Sequence, residues 1–172
     1  MLILTFVIFI LLFRLMLVKT FMVILISWLV LYNIHMNIGN VILWFAIGYV
    51  GATVASTIHT GINIGVRKMG FDRKHPNKSE GFVKTQPYHP LYDIVIFTIC
   101  GYFCGINTLG VAAATAGIWF LLSIVLDWLF WVAIKHPSSY TYKEFYKGFQ
   151  PWLTFCYVAI VAAPFVAYSL TF

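Results

Sequence analysis

Leu109–Ile134 reads LGVAAATAGIWFLLSIVLDWLFWVAI, and this stretch decides the fold class. It holds one ionisable side chain, Asp127. As a helix it would rise about 39 Å at about 1.5 Å per residue. That is enough to cross a hydrocarbon core of about 30 Å. Apolar and polar residues do not alternate along it, as they would in a barrel strand. Inside lipid only helices and closed barrels satisfy their backbone groups, so the stretch reads as a spanning helix.

The same reading extends outward to Val41–Val66, Leu91–Ile106 and Trp152–Thr171, and upstream to Leu2–Val18 and Thr20–Ile34. The expected architecture is all-α: a polytopic membrane helix bundle of about six transmembrane helices. Residues 1–172 form a single transmembrane domain with two polar loops, 67–90 and 135–150. A five-helix alternative fuses Leu2–Ile34 into one helix of about 50 Å, longer than the bilayer needs, with Arg14 and Lys19 near its middle. Two shorter spans let those two side chains snorkel to the surface. Thr20–Ile34 could instead be re-entrant or interfacial. Met1–Phe13 carries its positive charge after the apolar run, not before it, and so reads as a retained span and not a secretory signal.

Composition agrees. Of 172 residues, 62% are hydrophobic and 9% charged, with a mean hydropathy of +0.91. A soluble domain carries about 25% charged residues. The net charge of +6 would suit nucleic acid in a soluble chain. Here all 11 Lys and Arg fall in three places: Arg14 and Lys19; Arg67, Lys68, Arg73, Lys74, Lys78 and Lys84; and Lys135, Lys143 and Lys147. The connections 33–40 and 107–108 carry none. With six spans the three basic segments share one face, which the positive-inside rule makes cytoplasmic, or the matrix side in an organelle. Both termini then fall on the other face. The expected partners are the bilayer, anionic lipid headgroups at the basic loops and other membrane subunits, with no nucleic acid.

Several smaller features point to helix packing. Gly48, Ala52 and Ser56 form a small-residue stripe, as do Gly101 with Gly105 and Ala112 with Ala116. Pro164 is expected to kink the last span. Cys100, Cys104 and Cys156 are odd in number and lie in apolar runs, which argues against a disulfide framework. Cys100 and Cys104 share a helix face at i,i+4, so a redox pair is the alternative.

Ionisable groups within membrane spans are functional candidates by default. They are His59, Asp93 and Asp127, with His89 at the edge. Asp127 and His59 each precede a basic residue by eight positions, about 12 Å in from the loops. Asp93 falls in the first turn of its span, and His89 precedes it by four residues on the same face. Tyr88 and Tyr92 flank the mouth of the expected site, with Arg67 and Lys68 nearby for headgroups. Three roles compete. In the first, His59, His89 and Asp127 act as acid–base groups or metal ligands, with Asp93 orienting His89. In the second, the groups relay ions or protons in a carrier. The third is structural: Asp93 meets its helix dipole, His59 bonds across helices, and Asp127 pairs with Arg67 or Lys135. No HExxH, GxSxG, phosphate loop or CxxC occurs.

Pro87-Tyr88-His89-Pro90-Leu91-Tyr92 resembles the His-Pro-x-Tyr signature of small membrane methyltransferases that act on isoprenylcysteine or phospholipid headgroups. That resemblance implies S-adenosylmethionine as methyl donor. It covers six residues. Tyr88 stands where the family carries arginine, and Asp93 where it carries glycine. Size and span number are also similar to the substrate-binding subunits of energy-coupling-factor vitamin transporters. The leading expectation is a membrane-embedded enzyme acting on a lipid or isoprenoid-like substrate at a cytoplasm-facing site between spans three, four and five, its cofactor undefined. The runner-up is a non-enzymatic carrier or a small subunit of a larger complex.

The charge layout makes a prediction. Membrane-impermeant amine labelling in sealed vesicles should modify Lys78 and Lys143 from one and the same face; modification from opposite faces would overturn the layout.

Overall fold

The computed structural model describes residues 36–172 apart from 73, 74 and 137. The expected spans Leu2–Val18 and Thr20–Ile34, and with them the choice between six helices and five, lie outside the described residues. So do Arg14, Lys19, Arg73 and Lys74.

The described residues are helical and contain no strand. Helix α1 is Ile38–Gly65, α2 is Glu80–Val83, α3 is His89–Cys104, α4 is Leu109–Asp127 and α5 is Trp152–Ser169. Three helical stretches are long and apolar enough to cross a membrane: Ile38–Gly65, Leu109–Ala133 and Trp152–Ser169. These match the expected spans three, five and six within a few residues. Expected span four is α3, with 16 residues. It rises about 24 Å and is shorter than a full crossing.

Local chemistry sets the helix ends. The Asn37 side chain accepts from the Asn40 amide at 3.1 Å and caps α1. Thr108 does the same for α4 through Val111 at 3.2 Å. Gly105 ends α3 at φ 81, a left-handed conformation in which a side chain would be strained. The Asn40 amide group donates to the Cys104 carbonyl at 3.0 Å and ties the start of α1 to the end of α3. At the other end of α3, Pro90 fits the first turn, where its missing N–H is not needed. The helix therefore begins at His89, two residues before the expected start. Asp93 falls in the second turn, beyond the free amides of the helix start, which corrects its expected place in the first turn.

Helix α3 packs most extensively on α5, then on α1; α5 also packs along α4, and α1 meets α4 more narrowly. Phe97 of α3 is fully buried at the centre. Its ring lies 5.8 Å from Phe45 of α1 and 5.3 Å from Trp119 of α4. The Trp119 indole N–H donates to the Val41 carbonyl at 3.0 Å, which satisfies a buried donor. In lipid the hydrophobic effect does not draw helices together, so close contact must do so. Glycines supply it. A Cβ at Gly48 would meet Phe97 Cε1 at 2.9 Å, and one at Gly101 would meet Ala167 Cβ at 2.8 Å. The opposite face of α1 exposes Ile42, Ile47, Val50, Val54, Ile58 and Ile62. A contiguous exposed apolar surface of this kind suits lipid contact. Helix α5 runs through Pro164, which is buried against Gly101.

The polar segment 67–90 folds back on the end of α1. Asn63 is fully buried and donates to the Gly81 carbonyl at 3.1 Å and to Thr85 Oγ1 at 3.0 Å. Arg67 donates to Asn63 Oδ1 at 3.0 Å. Tyr140 and Phe145 of the second polar segment pack with Val132 and with Leu153 of α5. Lys78 and Glu144 join the two segments at 2.8 Å. The three cysteines are free thiols.

Two substitutions test whether close packing or mere apolarity holds the bundle. Gly101→Val should cost about 1–3 kcal/mol by overpacking against Ala167. Gly61→Ala has open space around its Cβ and should be neutral or stabilising by up to about 1 kcal/mol. Thermal unfolding in one detergent compares them, and equal melting temperatures would sink the packing account.

Candidate functional site

An aromatic-walled cavity of about 180 Å³ opens where α1, α3, α4 and α5 meet. The site was expected between spans three, four and five. The structure adds the last span as a wall, through Trp152, Cys156, Tyr157 and Ile160. The small-residue stripe continues into the space: beyond Gly48, where α1 touches Phe97, the small side chains of Ala52 and Ser56 line it.

Asp127 sits on this wall at the junction of α4 with a wider π-helical turn, Trp128–Ala133. Such turns recur at functional sites because they re-aim side chains. Tyr49 of α1 donates to Asp127 Oδ1 at 2.8 Å, and Tyr157 of α5 donates to Oδ2 at 2.9 Å. The Trp131 indole donates to the Tyr49 oxygen at 3.3 Å. A buried carboxylate must find donors, and buried tyrosines must find acceptors. The expected structural partners are engaged elsewhere: Arg67 by Asn63, and Lys135 by the Val132 carbonyl at 3.1 Å.

Asp93 faces the same cavity, with the Cys156 thiol of α5 beside it in the lining. His89 also lines it, with Nε2 at 2.7 Å from Ser56 Oγ. His89 and Asp93 thus share a face, as their spacing implies. The contact that holds the imidazole Nε2 comes from Ser56 and not from Asp93. Tyr92 lines the cavity rim.

The other expected residues lie outside the cavity lining. His59 bonds to the Tyr92 hydroxyl through Nδ1, and its ring meets Tyr88 at 4.8 Å. That hydrogen bond crosses from α1 to α3. Tyr88 is exposed, and Arg67 and Lys68 stay in the polar segment. The proposed metal set, His59, His89 and Asp127, is not brought together: among the described residues no group of three His, Cys, Asp or Glu could hold a metal ion.

Sequence reasoning missed Tyr49, Ser56, Trp131, Cys156 and Tyr157. A weak signal existed. Two carboxylates in apolar helices demand donors, and tyrosines in neighbouring apolar runs are the obvious supply. The sequence offers several tyrosines, though, and only helix rotation selects Tyr49 and Tyr157.

Electrostatically the cavity differs from its surroundings. No Lys or Arg lines it, while two carboxylates do. Outside, the Lys78 ammonium and the Thr141 amide and hydroxyl hold the exposed Glu144 carboxyl down to about 2. That carboxylate keeps its charge, and its grip on Lys78, until the pH falls toward that value. Phe82 and Phe149 meet edge to face at 6.0 Å on the same side of the cavity and bring the two polar segments together over it.

Compared with family models, curated proteins and solved structures, the chain finds no match, so any reading of its function rests on this cavity.

Proposed function

We propose that the chain crosses the membrane several times with its basic loops on the cytoplasmic side, and that it is a carrier which takes a small organic ligand into the cavity between α1, α3, α4 and α5. One observation supports this reading above the others: two partly buried carboxylates face a shared space, and neither has a cationic partner among the described residues. Purely structural carboxylates in a bundle would be paired off, since an unpaired buried charge is costly. Here neutral hydroxyls solvate Asp127, a neutral thiol lies beside Asp93, and room is left next to both. The expectation of anionic headgroups remains apt for the basic loops, where each cation near an acidic surface contributes about 1 kcal/mol.

Flux measurements test this. The full chain in proteoliposomes should give saturable uptake of at least one solute from a panel of benzyltrimethylammonium, benzyl alcohol and benzoate. Asp127→Asn should lower that uptake by about tenfold or more, consistent with loss of one charge-assisted contact. The variant should still insert and keep its helicity. Absence of saturable uptake across the panel, together with stable co-purification of another chain, would favour a structural subunit and refute carriage.

A second reading, the membrane enzyme, has one contact in its favour. Ser56 and His89 are placed as nucleophile and base, with Oγ 2.7 Å from Nε2. Ester cleavage there would pass the Ser56 proton to His89 and the acyl group to Ser56 oxygen. The leaving alcohol would regain the proton, and water would release the acid. The third member of such a constellation is missing among the described residues, because neither cavity carboxylate is hydrogen-bonded to His89, and Asp127 is taken by Tyr49 and Tyr157. Labelling by a fluorophosphonate at Ser56, abolished in Ser56→Ala, is the outcome this reading requires; an unlabelled wild-type chain eliminates it.

A further inference from the structure

We infer that the ligand of this cavity is an organic cation, an ammonium carried on an apolar body. The inference rests on the carrier reading and names its substrate class.

Three features of the cavity agree on charge and shape. First, Asp93 and Asp127 approach the same space from α3 and α4. The tyrosine hydroxyls on Asp127 and the thiol beside Asp93 are neutral groups. They bring no positive charge to the carboxylates. No lining residue is Lys or Arg, so nothing in the wall would favour an anion. In a low-dielectric interior an opposite charge is strongly attracted, and a second negative charge is excluded. Second, much of the remaining wall is aromatic, including Trp131, Trp152, Phe145 and Phe149. Aromatic faces carry negative quadrupole density and bind alkylammonium groups, Trp most strongly. Third, the size and lining disfavour a bare metal ion. The cavity holds about 180 Å³, and among the described residues no three His, Cys, Asp or Glu side chains gather to hold a metal ion. A cation with apolar substituents satisfies all three, since its charge meets the carboxylates and its body meets the rings.

The same argument separates the cavity from the basic loops around it. The loops suit anionic headgroups, whereas the cavity suits their opposite. An anionic lipid surface at the loops would also concentrate an amphipathic cation next to the mouth.

The experiment uses the full chain in nanodiscs and calorimetric titration with three matched probes. Benzyltrimethylammonium is the cation, neopentylbenzene its neutral isostere, and benzenesulfonate the anion. The cation should bind saturably, the isostere about tenfold or more weaker, and the anion not at all. Asp93→Asn and Asp127→Asn should each weaken the cation by about tenfold or more and leave the isostere unchanged. The comparison of cation with isostere needs only the wild-type chain, so it stands even where a variant fails to fold. Equal binding of isostere and cation, tighter binding of benzenesulfonate, displacement of the cation by sodium at equal concentration, or no saturable cation binding would each overturn the inference. Its failure is distinct from that of carriage. Cation binding without flux removes the carrier and keeps the ligand class. Saturable flux of benzyl alcohol or benzoate without cation binding keeps the carrier and removes the class.

Discussion

A carboxylate placed inside an apolar helix bundle must be solvated by the protein itself, and at Asp127 that demand organises much of the structure. The two acceptor oxygens take hydroxyls from two different helices, Tyr49 on α1 and Tyr157 on α5. Each contact fixes the rotation of its helix about its own axis relative to α4. The Trp131 indole extends the network by one further donor from the π-helical turn. Breaking any link would strand a polar atom in low dielectric, where it costs about 1–3 kcal/mol and more for a charge. The network therefore specifies one arrangement of three helices.

Packing and polarity divide the bundle between them. At the end where Asn40 meets Cys104 the helices touch through Phe45, Phe97 and Trp119, and glycine at position 48 lets α1 approach α3. Toward the polar segments the same stripe continues as Ala52 and Ser56, but the facing residues are Asp93 and His89 and not a filling ring. The bundle is dense where it needs only cohesion and open where the acids sit. That contrast within one pair of helices argues that the space is a built feature, since a void lined by aromatic and acidic groups would otherwise collapse or be filled.

The polar segments are more ordered than their composition suggests. Asn63, wholly buried, is bonded to Gly81 and Thr85 and receives Arg67, which turns the first segment back under α1. Lys78 and Glu144 then clasp the first segment to the second. The exposed pair contributes little stability in water, but it fixes which loop meets which. Together with Phe82 and Phe149 it brings aromatic side chains over the cavity from both segments.

The sequence by itself determined the material of this protein. Runs such as Leu109–Ile134 and Val41–Val66 are poor in charge and do not alternate apolar with polar residues, which led to helices long and apolar enough to cross a membrane, and the structure has such helices there. It also singled out Asp127, Asp93 and His89, because an ionisable group in an apolar run is costly wherever its helix goes. Which of these groups meet was decided only by the tertiary structure. His59 and Asp127 stand at equal distances from their basic loops, yet His59 turns to Tyr92 and Asp127 to Tyr49 and Tyr157. The reason is rotational. Sequence spacing fixes how deep a residue lies along its helix, whereas its direction depends on how neighbouring helices interlock at Gly48, Phe97 and Gly101. The fourth wall, from α5, was equally illegible, because Cys156 and Tyr157 look like ordinary apolar-run residues until a carboxylate is placed against them.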